Sequence, residues 1–127
     1  AGAYSSGWIK ADKFARYRAL VCVGTMAATS TGDAKLEQSS SAAGAGAKDI
    51  SGRAITQLTA AGTDDDKQAV VDLIPANHMD IAGGFFWFRL TMTVGTAASD
   101  AAGIVLGVQP IAGPAFNHDA STVDEVV

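Results

Sequence analysis

Two stretches of the chain repeat one pattern, and this repeat constrains the fold more than any other feature. RYRALVCVGTMA begins at Arg16, and FRLTMTVGTAA begins at Phe88. A constant offset lays Tyr17 on Phe88 and Arg18 on Arg89. The other matches are Phe14 with Phe85, Val23 with Val94, Gly24 with Gly95, Thr25 with Thr96 and Ala27 with Ala98. Both stretches alternate with a period of two, which indicates β-strands.

The alternation separates two faces in each strand. In the first strand the apolar face carries Tyr17, Ala19, Val21 and Val23, and the mixed face carries Arg18, Leu20, Cys22 and Gly24. In the second strand the apolar face carries Phe86, Phe88, Leu90, Met92 and Val94, and the polar face carries Trp87, Arg89, Thr91 and Thr93. We therefore expect inner strands over Tyr17–Val23 and Phe86–Val94, each packed on one face.

A turn of small residues follows each repeated strand and leads into a further strand candidate. These followers are Ala34–Gln38 and Gly103–Gln109. Gly, Thr, Ser and Asp favour turns because Gly accepts positive φ and the short polar side chains bond nearby backbone. We predict that each repeated strand forms a hairpin with its follower.

The middle of the chain adds two strand candidates and one loop. The strands are Arg53–Leu58 and Gln68–Ile74, the second ended by Pro75, which cannot donate to a ladder. The low-complexity stretch Ser39–Ala47 is expected to be a mobile surface loop. Together these elements predict an all-β fold, a single-domain antiparallel β-sandwich of jelly-roll type over residues 1–127, with extended arms at 1–12 and 112–127.

Composition and charge exclude several classes of protein. Hydrophobic residues make up 48% of the chain and charged residues 17%, which suits a folded domain. The net charge of −4 and the scattered Lys and Arg residues argue against nucleic-acid binding. No apolar run approaches the roughly 20 residues of a membrane span, and no signal peptide is visible. The single cysteine, Cys22, is expected to be a buried and inert thiol.

Three polar motifs are candidate chemical sites. GAGAKD, from Gly44, lacks a phosphate-loop pattern because Asp49 follows Lys48 where a hydroxyl is needed. The run Asp64–Asp66 lacks the ligand spacing of an EF-hand, so we expect a solvated loop, with Ca²⁺ at a subunit junction left open. His78 and His118 have no zinc-site spacing and no nucleophile motif beside them. We expect neither an enzyme nor a metal or cofactor site.

Aromatic residues offer one alternative to a purely structural role. Trp8, Phe85, Phe86 and Trp87 could stack on a sugar, or they could simply pack the core and the sheet edges. Trp87 lies opposite the main apolar face, so it is the aromatic residue expected to contact a second layer, a neighbouring subunit or a ligand.

The order of phrases along nearly the whole chain resembles that of small virion proteins of tailed bacteriophages. The phrases are YSSGWIKADKFARYRALVCVG, DAKLEQSSSAAGAGAKDISGRAITQL and FFWFRLTMTVGTAASDAAGIVLG, followed by a short acidic tail. Such proteins are encoded among head genes, including those of related gene-transfer particles. The resemblance implies a capsid decoration or cement protein, or the base of a head spike. It also implies a homo-oligomer bound to the major capsid protein or other virion proteins, in a virion assembled in the bacterial cytoplasm.

Apolar residues in the predicted arms are candidate contacts with such partners, because terminal apolar residues often dock onto something. With Trp87 added, the candidate interface residues are Tyr4, Trp8, Ile9, Trp87, Phe116, Val126 and Val127. Two alternative functions stay open: a carbohydrate-binding adsorption module, and a tail-tube or head–tail connector protein.

Overall fold

A computed structural model describes residues 1–111 and shows two antiparallel sheets around one core. The strands are β1 (Gly2–Ser5), β2 (Ile9–Lys10), β3 (Phe14–Met26), β4 (Thr31–Ser39), β5 (Lys48–Ala54), β6 (Leu58–Thr59), β7 (Gln68–Leu73), β8 (Trp87–Gly95) and β9 (Ser99–Pro110). A 3₁₀ turn covers Ala60–Gly62 and a short helix, α1, covers Pro75–His78. The all-β sandwich is confirmed, and its jelly-roll connectivity stays a prediction.

The two sheets differ in size. The first sheet has the order β1-β8-β4-β5, with β2 also paired to β8 and β6 to β4. The second sheet has the order β7-β3-β9. The repeated stretches thus form β3 and β8, each with a neighbour on both sides.

The predicted inner faces of the repeated strands are largely confirmed. The residues of the predicted apolar face of β3 are all buried: Tyr17, Ala19, Val21 and Val23. In β8 the buried residues are Phe88, Leu90 and Val94, and Met92 is half-buried. Phe86 is the exception, because it precedes the strand and remains exposed.

The repeat places two aligned aromatic residues against each other across the core. The rings of Tyr17 and Phe88 meet edge to face, with 4.8 Å between their centroids. Edge-to-face contact suits the quadrupoles of aromatic rings and adds to the free energy of burying them. The repeated pattern therefore supplies both halves of the central core contact.

The two predicted hairpins are wrong. β3 pairs with β7 and β9, whereas β4 pairs with β5, β6 and β8. Each follower therefore joins the sheet that contains the other repeated strand. The turns contain Thr29 and Thr96 in the left-handed conformation, with φ of 71° and 66°, and they carry the chain to the opposite sheet. This crossing adds one follower to each layer of the same core.

Two boundaries in the middle of the chain differ from the predictions. The predicted strand Arg53–Leu58 is wrong in extent, because β5 ends at Ala54 and β6 begins only at Leu58. A register shift interrupts the β4–β5 ladder, and Ile55 then donates to the carbonyl of Ala34. The second prediction is confirmed to within one residue, since β7 ends at Leu73 and Pro75 opens α1.

The low-complexity stretch forms a hydrogen-bonded turn between β4 and β5. Ser39 already belongs to β4, and its hydroxyl donates to the carbonyl of Ser41 over 2.7 Å. The backbone N–H of Ser40 donates to the carbonyl of Ala45 over 3.0 Å. Small residues suit this turn because the chain folds back closely on itself.

The N-terminal segment is part of the first sheet. Tyr4 lies opposite Met92 in the β1–β8 ladder, and Ile9 lies opposite Phe88 in the β2–β8 ladder. Residues 2–5 and 9–10 of the predicted N-terminal arm thus form strands that complete one edge of β8. The predicted C-terminal arm, 112–127, lies outside the described residues.

Candidate interaction surface

The outer face of the second sheet carries a contiguous apolar surface. Leu20, at its centre, lies opposite Val70 on β7 and opposite Ile104 on β9. Val70 is 51% exposed and Ile104 is 50% exposed. We call this surface the apolar patch and define it as Leu20, Cys22, Val70, Ile104 and Leu106. Contiguous exposed apolar surface on a soluble protein usually marks an interaction site.

Charged residues border one end of the apolar patch. Arg18, opposite Leu106, donates through Nε to Oδ1 of Asp72 over 2.7 Å, and Arg16 donates to Oδ2 over 3.3 Å. The hydrogen bond from Arg18 holds the pKa of Asp72 below its ordinary value, against a smaller opposing effect of desolvation. A partner docking on the patch would therefore meet an ionised border with fixed geometry.

Cys22 belongs to the outer face and is half-buried. It lies opposite Gln68 on β7 and Ala102 on β9. The expectation of a buried thiol is therefore wrong. The alternation of β3 had already placed Cys22 on the mixed face, and the second sheet has no further layer over that face within residues 1–111.

The outer face of the first sheet is polar and internally bonded. Oε2 of Glu37 accepts hydrogen bonds from Nε of Arg89 over 2.7 Å and from Oγ1 of Thr91 over 2.8 Å. Lys35 reaches Asp49 over 2.7 Å. Burial opposes ionisation of Glu37, but its hydrogen bonds outweigh this effect, and the pKa lies below the ordinary value. The charged side chains of this face thus pair with one another, whereas the apolar patch contains no charged residue.

The structure separates the predicted interface residues. Tyr4 is 58% exposed and lines a cleft of about 120 Å³ between β1, β8 and β9. Trp8 is half-buried under Arg89, whose guanidinium carbon lies 4.5 Å from the ring centroid. Ile9 packs against the core. Of these three side chains, only Tyr4 is largely exposed.

Trp87 lies on the outer face of the first sheet and is half-buried, opposite Lys10 and Ser39. It is therefore remote from the apolar patch, which belongs to the other sheet. Phe116, Val126 and Val127 lie outside the described residues.

The aromatic residues considered for sugar stacking are partly covered. Nζ of Lys48 lies 4.0 Å from the centroid of Phe85, and Arg89 covers Trp8. A cation over one ring face is stabilising in itself and leaves less aromatic surface for a sugar. Phe86 is the most exposed of the four, at 43%.

The carboxylate run has structural partners. Asp64 accepts a hydrogen bond from the backbone N–H of Thr59 over 2.9 Å, which lowers its pKa, and Asp65 accepts one from Met26 over 2.6 Å. These bonds tie the loop to the ends of two strands. The loop is solvent-exposed, as expected, with Asp65 and Asp66 exposed and Asp64 half-buried.

His78 also has a structural partner: its Nδ1 accepts the backbone N–H of Ile74 over 2.9 Å. Burial, with a smaller effect of Arg53, lowers its pKa. Nearby, Asp80 pairs with Lys48 over 2.8 Å. His118 lies beyond the described part of the chain. Within residues 1–111, no three His, Cys, Asp or Glu side chains are grouped to hold a metal ion.

The sequence predictions missed the apolar patch, although a signal was present. Ile104, Leu106 and Val108 alternate with Gly103, Val105 and Gly107, so one face of β9 carries the larger apolar side chains. By pattern alone that face would be assigned to the core. In the structure it points outward, because glycines on the other face let β9 approach Leu90, Met92 and Phe14 closely.

The chain is an all-β sandwich in which one outer face is polar and the other carries the apolar patch. Comparison of the chain with protein families, curated proteins and solved structures finds no match. Among the described residues, no helix has the length and apolar character needed to cross a membrane.

Proposed function

We propose that the protein is a structural virion protein of a tailed bacteriophage. In this proposal it binds the capsid as a homo-oligomer and decorates or stabilises it, as a cement protein or the base of a spike. The order of phrases in the sequence suggests this class. The observation that carries the proposal is the apolar patch, a surface suited to docking on another protein.

The apolar patch has the properties that a permanent docking surface requires. It lies on three paired strands, so its side chains are held in place before contact and little ordering entropy is lost on binding. Burying Val70, Ile104 and Leu106 would remove apolar surface from water, which is favourable at about 25 cal/mol per Å². The border of Arg16, Arg18 and Asp72 would favour one orientation of the partner.

The symmetry of a capsid would raise the overall affinity above that of one modest contact. A capsid presents the same surface many times, so an oligomer can engage several copies together. Each later contact is then intramolecular, and the overall affinity exceeds that of one patch, provided that the spacing allows simultaneous binding.

The test uses particles that lack the protein. Purified protein is mixed with them, the particles are sedimented, and the bound copies are counted. Val70→Asp places a charge in the apolar patch, and Thr93→Asp places the same charge on the exposed outer face of the first sheet. We expect Val70→Asp to bind weakly, and Thr93→Asp to bind as the parent does.

Other outcomes would redirect the proposal. Parent protein that ignores heads but binds tails would favour a tail-tube or connector role. Parent protein that binds neither and instead binds a carbohydrate would favour the adsorption module. If both variants occupied heads equally, the apolar patch would not be part of the contact with the capsid.

A further inference from the structure

One long strand edge has no partner within residues 1–111. β9 pairs with β3 along one edge, and no other strand of the described chain pairs with its second edge. The strand spans Ser99–Pro110, and Asp100 is its one charged residue. Long edges with few charges are templates for pairing with another strand.

The other sheet edges carry the features that prevent such pairing. β1 has four residues and β7 has six. β5 has seven residues, a register shift against β4, and Gly52 at a φ of 70°. It also carries charged residues: Lys48, Asp49 and Arg53. Shortness, charge and bulges are the usual protections of an edge, and β9 lacks them along most of its length.

The backbone directions of β9 follow from the alternation of an antiparallel ladder. The N–H of Val23 donates to the carbonyl of Lys67, so odd-numbered residues of β3 bond toward β7 and even-numbered ones toward β9. The partners of those even residues on β9 are Ala102, Ile104 and Leu106. The intervening residues Ala101, Gly103, Val105 and Gly107 therefore direct their N–H and C=O groups toward the unpaired edge.

We propose that a second copy of this chain pairs with β9, edge to edge and antiparallel, about a two-fold axis at Ile104. This register overlaps the whole regular stretch 101–107. It sets Ala101 opposite Gly107 and Gly103 opposite Val105 as hydrogen-bonded pairs, which gives about eight bonds between the copies. The two second sheets become one continuous sheet. This inference goes beyond the proposed function and does not depend on it.

The edge is complementary to itself. Residues 101–107 carry no charge, and Asp100 of each copy falls opposite Val108 of the other rather than opposite a second carboxylate. Pairing about Ile104 also keeps the outer faces aligned, because antiparallel partners share a face. The apolar patches of the two copies then form one surface across the axis.

The contact is also large enough for a specific dimer. Seven paired residues span about 24 Å, and the open side of a two-layer sandwich is about 20 Å wide. Two copies would bury on the order of 1,000 Å² in total, which is about the smallest area expected of a specific interface. Tyr4 contributes to this width, because it lines the cleft beside Gly103 at the same open side.

The main experiment measures the mass of the purified full chain in solution over a range of concentrations. Ile104→Lys would place two ammonium groups opposite each other at the axis. We therefore expect the dissociation constant of the dimer to rise by about ten-fold or more. Val70→Lys is the matched control. It has the same chemistry, nearly the same exposure and the same outer face, but it lies on β7. We expect the parent and Val70→Lys to be dimers.

Two further variants test the register itself. Ile104→Glu alone should also dissociate, whereas an equal mixture of Ile104→Lys and Ile104→Glu should pair again as a mixed dimer. In a Cys22→Ser background, Ile104→Cys should form an intermolecular disulfide under mild oxidation, since facing residues at such a position have Cα atoms about 4.5 Å apart. Val70→Cys in the same background should not.

Several results would overturn the inference. These are a parent chain that stays monomeric at its highest soluble concentration, an oligomer with an odd number of copies, or an Ile104→Lys variant that remains dimeric. An odd-numbered ring cannot be built from a two-fold contact alone. Capsid binding is not measured in these experiments, so failure to bind capsids would leave this inference standing. A monomeric parent would overturn the dimer and the oligomeric part of the proposed function, but it would leave binding to the capsid itself untouched.

Discussion

β4 and β9 follow the two repeated strands, yet they have opposite surroundings. The offset that aligns β3 with β8 also aligns these followers, laying Gly32 on Gly103 and Gln38 on Gln109. Outward-facing residues of β4 are charged where those of β9 are apolar: Asp33 aligns with Ile104, Lys35 with Leu106, and Glu37 with Val108. β4 has strands on both sides, and β9 has one within the described chain.

The same alternating pattern therefore has a different role in β4 and in β9. β4 buries Ala34 and Leu36 in the core and turns its charged residues outward, so its main contribution is to folding. β9 has glycine at the position that aligns with Leu36, and it exposes its larger apolar side chains instead. We therefore expect substitutions on β4 and its neighbours to change folding, and those on the outer face of β9 to change association.

The largest expected loss of stability comes from a substitution in the core that the two sheets share. Phe88→Ala should lower the free energy of unfolding by about 3–5 kcal/mol, because the side chain is fully buried against Tyr17. Phe86→Ala, at an exposed position, should lower it by less than about 1 kcal/mol. Denaturant titration measures both. Similar losses for the two variants would mean that the inner face of β8 is misassigned.

The next largest loss of stability is expected where β9 closely approaches the core. Gly107→Ala would push a Cβ into the ring of Phe14 and should cost about 1–3 kcal/mol. Gly24→Ala is the control, since its Cβ would lie 3.5 Å from Asp100, an ordinary contact. Melting temperatures of the two variants make the comparison. An unchanged Gly107→Ala variant would show that β9 packs less closely than described.

The charged face of β4 gives an effect that depends on pH. Glu37→Gln should cost about 1–2 kcal/mol at pH 7, because the hydrogen bonds from Arg89 and Thr91 lose their charged acceptor. The folded pKa of Glu37 lies below its ordinary value of 4.5, so this stability is present above that pH and is lost as the pH falls through the folded pKa. The difference between parent and variant should therefore shrink in acid.

Unfolding titrations at neutral pH and at about pH 3 follow this change. Asp49→Asn is the control, because Asp49 is largely exposed and its pair with Lys35 should contribute less than about 0.5 kcal/mol. A gap between the parent and Glu37→Gln that widens in acid would contradict the assignment.

The smallest predicted effect concerns the carboxylate loop. Asp65→Ala should cost about 1 kcal/mol, because the backbone N–H of Met26 loses its acceptor at the end of β3. Asp100→Ala, also an exposed carboxylate, should change stability by less than about 0.5 kcal/mol. Chemical denaturation can resolve the two. Equal values would mean that the hydrogen bond from Met26 to Asp65 contributes nothing measurable to stability.

Sequence reasoning succeeded where a residue pattern had one physical solution. Alternation of Tyr17, Ala19, Val21 and Val23 requires a strand with one buried face, and that face is buried. It failed for the hairpins, because local turn composition does not record which sheet the next strand joins. Left-handed Thr29 and Thr96 are not signalled by residue type, since this conformation usually favours Gly or Asn.

The surroundings of the candidate interface residues could not be predicted for a related reason. Tyr4 and Ile9 were identified as apolar residues near one end of the chain, but pairing with β8 leaves Tyr4 exposed and packs Ile9 against the core. A sequence states that a residue is apolar, and only its neighbours decide whether water reaches it.

The sequence by itself determined the strand class, the two repeated strands and the inner faces that meet at Tyr17 and Phe88, because a period of two is a local property of the backbone. The tertiary structure alone decided that the followers exchange sheets and that β9 lies at an edge with Ile104 and Leu106 facing outward. Those features depend on contacts between residues far apart in the chain, and no local pattern encodes them.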